Sequence, residues 1–371
     1  MLLRPQPLPW ATLILLTSAV LPKAHAQVAP PADLQTPCGS TTYQYSRLSV
    51  MNAIKTRPSN LTLVAAHRGY WEQYPENSKY SILAAGYCYE IVEADLKPLA
   101  GNGIAVAHDL VLNRTTTLSG ALNQTRRPDF RNAYLRDRHG VVTTMHPIDG
   151  QDLIDMYAKY VATSGSFGGF VLALDVKGAD PVNDPWPLLK NFHTKLLNKA
   201  TSGNQLADSI LYKIEAKALP QNPADVTAFI NLNPNVQPLN LYIVYNDISE
   251  LPIMNAYTGQ SFVAGSEVNF PYRGSPIEPI LSAQTPVGTF STYYDLPEGV
   301  GNSKGRCCGV LNTDTNNGAA KIDYRGRYDD YAQMKSNAEL NTFNLFTTDR
   351  PDVMVNVLTQ LNLRNTTSIL K

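Results

Sequence analysis

Leu61-Thr62-Leu63-Val64-Ala65-Ala66-His67-Arg68-Gly69 is an apolar run that ends abruptly in a base, a cation and a glycine. A run this short and this continuously apolar reads as a strand buried on both faces. Similar runs recur at 90–96, 104–107, 170–176, 210–214, 241–245, 261–270 and 343–347. Helical stretches at 80–87, 148–163, 187–197 and 223–231 fall between several of them. Strands alternating with helices predict a parallel sheet covered on both faces. Roughly eight strands in about 330 residues fit a (β/α)8 barrel with loop insertions better than an open sheet. The stretch 274–338 is rich in Gly, Pro, Asn and Tyr and weakly periodic, and no strand is placed there.

Around this core the 371-residue chain is 43% hydrophobic and 17% charged, enough to bury a large interior. Its 31 basic and 31 acidic residues cancel, which excludes the global positive field of a general nucleic-acid binder. Arg4 precedes an apolar run from Trp10 to Leu21, followed by Ala24-His25-Ala26, a small-x-small cleavage signature. Residues 1–26 therefore read as a secretory signal too short to span a bilayer, and the mature chain is expected outside the cell or in a periplasm. Their removal takes Arg4 and Lys23 and no acid, leaving a net charge of −2. Residues 27–60 read as an arm and lead-in, 61–360 as the barrel and 361–371 as a tail.

Secretion permits disulfides among Cys38, Cys88, Cys307 and Cys308. Bridging the adjacent Cys307 and Cys308 would be strained, so each is expected to reach back to Cys38 or Cys88. Asn60, Asn113, Asn123 and Asn365 stand in glycosylation acceptor triplets, which matter only in a source that glycosylates secreted proteins.

The ends of barrel strands and the loops after them form the active face, so polar residues there are candidates for chemistry. His67-Arg68-Gly69 ends the first strand. In the second, a period of two puts Glu93 and Asp95 on one face. Two carboxylates in one space repel unless a cation lies between them, which points to a hard, oxygen-liganded metal. Asp175-Val176-Lys177 repeats the pattern with an acid and a cation. His108-Asp109 closes the run 104–107 and supplies a second histidine. Two histidines near a metal and two cations suggest acid-base catalysis on a phosphate ester. Lys213 with Glu215, and Glu267 with Asn269, either line the pocket or form internal pairs. Trp71 and Tyr74 either cover the substrate or pack the first loop. His139, His146 and His193 lie outside the pattern and are given surface roles.

The ordered set His67-Arg68-Gly69, Pro75-Glu76-Asn77-Ser78, Glu93-x-Asp95, His108-Asp109 and Leu112-x-Arg114-Thr115-Thr116 resembles the glycerophosphodiester phosphodiesterase family. The closing Thr347-Thr348-Asp349-Arg350-Pro351-Asp352 resembles that family's last barrel strand. The resemblance implies a (β/α)8 TIM barrel of the phospholipase C-like phosphodiesterase type. It implies that Glu93, Asp95 and Asp175 hold one divalent cation, Mg2+ or Ca2+. It further implies that His67 and His108 act as general base and acid, and that Arg68 and Lys177 touch phosphate. Glu76 is placed in the first loop, binding substrate or holding the loop. The family usually carries Glu-x-Lys where this chain has Asp175-x-Lys177, a feature similar to the sphingomyelinase D group of toxins on the same barrel.

The expected partner is thus a small-molecule or lipid phosphodiester, with transient contact to a membrane surface, no nucleic acid and no protein partner. Three functions are carried forward. The first is hydrolysis of glycerophosphodiesters. The second is a sphingomyelinase D-like action on choline lipids with a cyclic phosphate product. The third is a binding barrel that has lost turnover.

Overall fold

The computed structural model describes residues 32–39, 44–164, 168–199, 206–232, 239–269, 277–283, 287–291, 311–312, 321–322 and 331–371. The leader 1–26 lies outside the described residues, as do Cys307 and Cys308.

The strands are β1 (Leu63–Ala66), β2 (Ile91–Pro98), β3 (Ile104–Val106), β4 (Val171–Val176), β5 (Ile210–Glu215), β6 (Leu241–Tyr245), β7 (Val263–Val268), β8 (Val287–Ser291), β9 (Leu311–Asn312), β10 (Lys321–Ile322) and β11 (Leu345–Thr348). The helices are α1 (Arg47–Thr56), α2 (Lys79–Gly86), α3 (Arg127–Asn132), α4 (Gly150–Thr163), α5 (Pro185–Lys199), α6 (Pro223–Asn231), α7 (Leu251–Tyr257), α8 (Glu278–Ala283), α9 (Tyr331–Glu339) and α10 (Pro351–Gln360).

Strands β1, β2, β4, β5, β6, β7, β8 and β11 pair in parallel in that order, and β1 pairs with both β2 and β11, which closes the barrel. The expected (β/α)8 architecture is therefore present, with one exchange of strands. The run at 104–107 is not a barrel strand: β3 turns back and pairs antiparallel on the edge of β2, Leu96 opposite Val106. The missing wall is β8, inside the weakly periodic stretch, with Phe290 opposite Thr347 of β11.

Alternation of side chains divides the interior into layers. Leu63, Ala65, Ile91, Val171, Ala173, Leu211, Tyr242 and Leu345 form an apolar plug inside the barrel. The other faces of the strands, with residues such as Val64, Val92, Leu172, Ile214 and Phe346, pack against the surrounding helices. Polar residues then occupy the carboxyl ends of the strands, above the plug.

The lead-in and the tail, set apart from the barrel in the sequence, form its floor. Val50, Met51, Ala53 and Ile54 of α1 and Ile369 of the tail are buried against the plug. Ser46 caps α1 by accepting from the Ser49 N–H, satisfying one otherwise open donor. The tail is tied down where Arg364 donates to both oxygens of the buried Glu90 carboxylate at 2.7 and 2.6 Å. Tyr45 bridges Leu370, and the Lys371 N–H donates to the Gln44 carbonyl at 2.8 Å.

The disulfide joins Cys38 to Cys88, with Cα atoms 5.7 Å apart. This corrects the expectation that Cys307 and Cys308 reach back to those two residues. The bridge pins residues 32–39 to the end of α2. All four candidate glycosylation asparagines are exposed. Among the described residues no helix is long and apolar enough to cross a membrane.

Candidate active site

The site begins where β1 ends. Arg68 takes a left-handed backbone (φ 55°) and Gly69 follows at φ 79°. A side chain at Gly69 would meet the Ser81 backbone at 2.5 Å, so the glycine lets the first loop fold flat onto α2. Ser78 and Ser81 form a reciprocal capping box that starts α2, and the Ser81 hydroxyl also donates to the Arg68 carbonyl at 3.1 Å. The Pro75-Glu76-Asn77-Ser78 segment thus fixes the loop that presents His67.

His67 is buried, and its Nδ1 lies 2.5 Å from Asp349 Oδ1, just beyond the end of β11. Asp349 Oδ1 also accepts from Trp71 Nε1 at 3.0 Å. A carboxylate can only accept here, so Nδ1 carries the hydrogen and Nε2 keeps its lone pair. That Nε2 points toward the carboxylates, 3.9 Å from Glu93 Oε2, and the ring meets Phe290 edge-on at 4.8 Å.

Glu93 and Asp95 of β2 are fully buried, and Asp95 stands beside Asp175 in the β2–β4 register. Oxygens of the three carboxylates all lie within 4.8 Å of one another. Each of the β2 acids is held by one oxygen. Glu93 Oε2 accepts from the Arg68 N–H at 2.9 Å, and Asp95 Oδ2 accepts from Asn77 Nδ2 at 2.8 Å. Their other oxygens, Glu93 Oε1 and Asp95 Oδ1, are buried without a hydrogen-bond donor among the described residues. The unpartnered Glu93 Oε1, and Asp95 Oδ1 with the Lys177 ammonium 3.6 Å away, lie beside a third carboxylate and suit a hard divalent cation.

The electrostatics agree with that fit. Burial, and then the charge of Asp95, push the Glu93 carboxyl up to about 7. Burial acts the same way on Asp95, but His108, Lys177 and Arg68 outweigh it and hold this carboxyl well below the usual range. Asp175 is likewise lowered against its burial by Lys177, 2.7 Å away, and by Lys213. The pocket therefore keeps two carboxylates charged and leaves the third poised between states until a cation arrives.

His108 stands on the opposite rim. Its Nδ1 lies 2.9 Å from Asp109 Oδ1, and Arg114 grips Asp109 through Nε at 2.5 Å and Nη2 at 2.9 Å. The same guanidinium donates to both Glu76 oxygens at 2.6 Å, and Glu76 accepts from Arg68 Nη1 at 3.2 Å. Burial, then the charge of Arg68, lower the His108 imidazole to about 4, although 24% of its side chain reaches solvent. It is neutral at rest. Lys177 also lies 3.6 Å from Asp95, and its two carboxylate neighbours raise its basicity despite burial.

A cavity of about 150 Å³ opens over these groups, lined by His67, Arg68, His108, Asp175 and Lys177 on one side and by Lys213, Glu215, Asn246, Asn269 and Phe290 on the other. A larger cleft of about 810 Å³ lies on the outer surface around Arg127, Arg131, His146 and Lys159 and touches none of the residues expected to carry chemistry.

Of the residues expected to form the site, His67, Arg68, Glu93, Asp95, His108, Asp175 and Lys177 converge on one volume. Glu76 stands behind it, its carboxylate occupied by Arg114 and Arg68. Tyr74 is buried and accepts from the Gln35 N–H at 2.7 Å, packing the loop, whereas Trp71 holds Asp349. Lys213 and Glu267 prove to be both paired and pocket-lining. His193 is not on the surface: it is buried on α5, its Nδ1 3.0 Å from the Tyr212 hydroxyl. His146 is exposed, as expected, with its Nδ1 2.7 Å from the Ala133 carbonyl oxygen. Asn77, Arg114 and Asp349 are further site members that no single-residue pattern marks, although all three fall inside the motifs quoted above.

No family model matches the chain. The chain is 32% identical over 335 residues to the uncharacterized protein y4eD of Sinorhizobium fredii (strain NBRC 101917 / NGR234), covering 84% of this chain and 86% of that one. Among solved structures it resembles a glycerophosphoryl diester phosphodiesterase from Parabacteroides distasonis ATCC 8503, at 16% identity and a TM-score of 0.54 over 86% of this chain and 94% of the other. A Silicibacter pomeroyi DSS-3 protein provisionally given the same enzyme name matches at 14% identity and a TM-score of 0.54 over 86% of this chain and 99% of that one. The chain belongs to one family with y4eD, and it is built on the barrel fold of the glycerophosphoryl diester phosphodiesterases.

Proposed function

We propose that this protein is a secreted phosphoric diester hydrolase that cleaves glycerophosphodiesters to an alcohol and glycerol phosphate. One observation carries the reading: two histidines, each with an aspartate at Nδ1, flank a buried triad of carboxylates that has Arg68 and Lys177 beside it. Glu93, Asp95 and Asp175 would hold a divalent cation, Mg2+ or Ca2+. Bound there, the ion supplies Lewis-acid polarisation and neutralises charge on the phosphoryl oxygens.

The chain's own residues do the rest. His67 Nε2 accepts a proton from the attacking hydroxyl, either water or the substrate's own glycerol hydroxyl, and Asp349 stabilises the imidazolium that forms. Attack at phosphorus breaks the bond to the leaving oxygen, which takes a proton from His108. Burial and Arg68 keep His108 neutral at rest, and the negative phosphate beside it favours the protonated ring that this step uses. Arg68 and Lys177 bind the phosphoryl oxygens as fixed charges, with no reorganisation during the step. Glu76 and Arg114 keep Arg68 and the His108–Asp109 pair in place.

The aspartate at 175, shared with the sphingomyelinase D group, supports a second reading in which choline lipids yield a cyclic phosphate. Phosphorus NMR of the mature protein with glycerophosphocholine and then lysophosphatidylcholine, with and without chelator, separates the two. Chelator-sensitive release of glycerol phosphate supports the first reading, and a cyclic phosphate from the lysolipid alone supports the second. If neither substrate turns over, the barrel is a binding protein.

A further inference from the structure

The proposed reaction leaves one buried cation of the pocket unused. Lys213, on β5 directly beside Asp175 in the β4–β5 register, is 2% exposed and forms part of the cavity wall. Its ammonium lies 3.0 Å from Glu267 Oε1 and 5.7 Å from the centroid of the Phe290 ring. The other Glu267 oxygen accepts from the Thr347 hydroxyl at 3.0 Å, so β7 and β11 together fix where the ammonium sits.

An ammonium carries three N–H donors, and among the described residues Glu267 is the sole hydrogen-bonded partner of Lys213. Buried donors left open cost free energy unless water or a ligand fills them. Stability alone does not account for the pair, because a buried ion pair is commonly no better than apolar residues of the same volume. The apolar plug just below shows that such residues fit this barrel. The pair instead lies where the plug gives way to the polar layer, next to the carboxylate triad and open to the cavity.

We propose that Lys213, held by Glu267, is a further substrate-binding residue that donates to the phosphoryl oxygens from the β5 side of the pocket. The inference rests on the phosphodiesterase reading. It adds a third cation to Arg68 and Lys177, and it makes the pocket more favourable to the product than to the substrate in charge. A diester carries one negative charge, whereas a phosphate monoester carries nearly two near neutral pH. Lys213 should therefore contribute more to the affinity for glycerol phosphate than to the KM for the diester.

The test uses the Lys213→Met/Glu267→Gln double variant, which removes the pair without leaving a buried charge alone, alongside Lys213→Arg. Calorimetric titration of glycerol 3-phosphate and of inorganic phosphate into the metal-loaded protein is combined with steady-state kinetics on glycerophosphocholine. The expected result is phosphate-ester affinity about ten- to a hundredfold weaker in the double variant. KM should rise by a smaller factor, partial recovery should appear in Lys213→Arg, and the thermal midpoint should be unchanged. Unchanged affinity and KM in a double variant that still turns over the diester would overturn the role of Lys213 and leave the phosphodiesterase reading standing. A wild-type protein that neither binds phosphate esters nor cleaves the diester would overturn both.

Discussion

Replacing Asp349 tests the proposed base directly. The Asp349 carboxylate is buried, sits 2.5 Å from His67 Nδ1 and is held by the Trp71 indole, so it sets both the tautomer and the orientation of the ring. In Asp349→Asn an amide nitrogen can donate to Nδ1, which moves the ring hydrogen to Nε2 and removes the lone pair that would take the substrate proton. In Asp349→Ala the ring is free to sample both tautomers. General-base assistance contributes about 10²–10⁴ in rate, equivalent to roughly 3–5 kcal/mol at 1.36 kcal/mol per decade. The asparagine variant should lose most of that in kcat with KM little changed, and the alanine variant should lose less. Steady-state hydrolysis of glycerophosphocholine measures both, and circular dichroism melting checks the fold. An Asp349→Asn enzyme within threefold of wild type, with a native melting curve, would refute the assignment of His67 as the base.

Two further outcomes are expected. Because Glu93 is pushed up to about 7, the metal-free pocket holds a proton on it below that pH, and an incoming cation must displace it. Apparent Mg2+ or Ca2+ affinity should therefore weaken about tenfold per unit as pH falls below 7 and level off above it. Calorimetry in buffers of different ionisation enthalpy would detect the released proton, and a pH-independent affinity would contradict the shift. Opening the Cys38–Cys88 bridge with the double serine variant frees a 50-residue loop and should cost about 2–5 kcal/mol in urea denaturation. Its catalytic constants should be nearly unchanged, since the bridge lies behind α2.

The sequence carried the barrel and the acidic triad because both are written in local patterns. Seven of the walls are short apolar runs, and the period of two puts Glu93 with Asp95, and Asp175 with Lys177, on the inner face. The eighth wall was hidden because Val287-Gly-Thr-Phe-Ser is short and contains a glycine that makes room for the Tyr242 hydroxyl. The run at 104–107 was misplaced because an apolar run does not reveal the direction in which it pairs. Helix α1 lacks a strong apolar stripe, since it closes the barrel end-on. Asn77, Arg114 and Asp349 act on partners 18, 38 and 282 residues away, distances that no spacing rule connects. The cysteine pairing depended on which loops the fold brings within 5.7 Å, a property of tertiary structure alone.

The hydrogen bond from Lys371 to Gln44 gives the barrel domain the geometry of a nearly closed ring. Residues 44 and 371 meet at the floor, on the face opposite the cavity, so an immobilisation handle attached at residue 371 would orient every molecule with its pocket facing the solution. The same geometry makes the domain a candidate for circular permutation, in which residues 44 and 371 are joined and the chain is reopened in an exposed turn such as that at Gly259. Such a permutant would separate the assembly of the floor from that of the site, allowing each to be followed on its own.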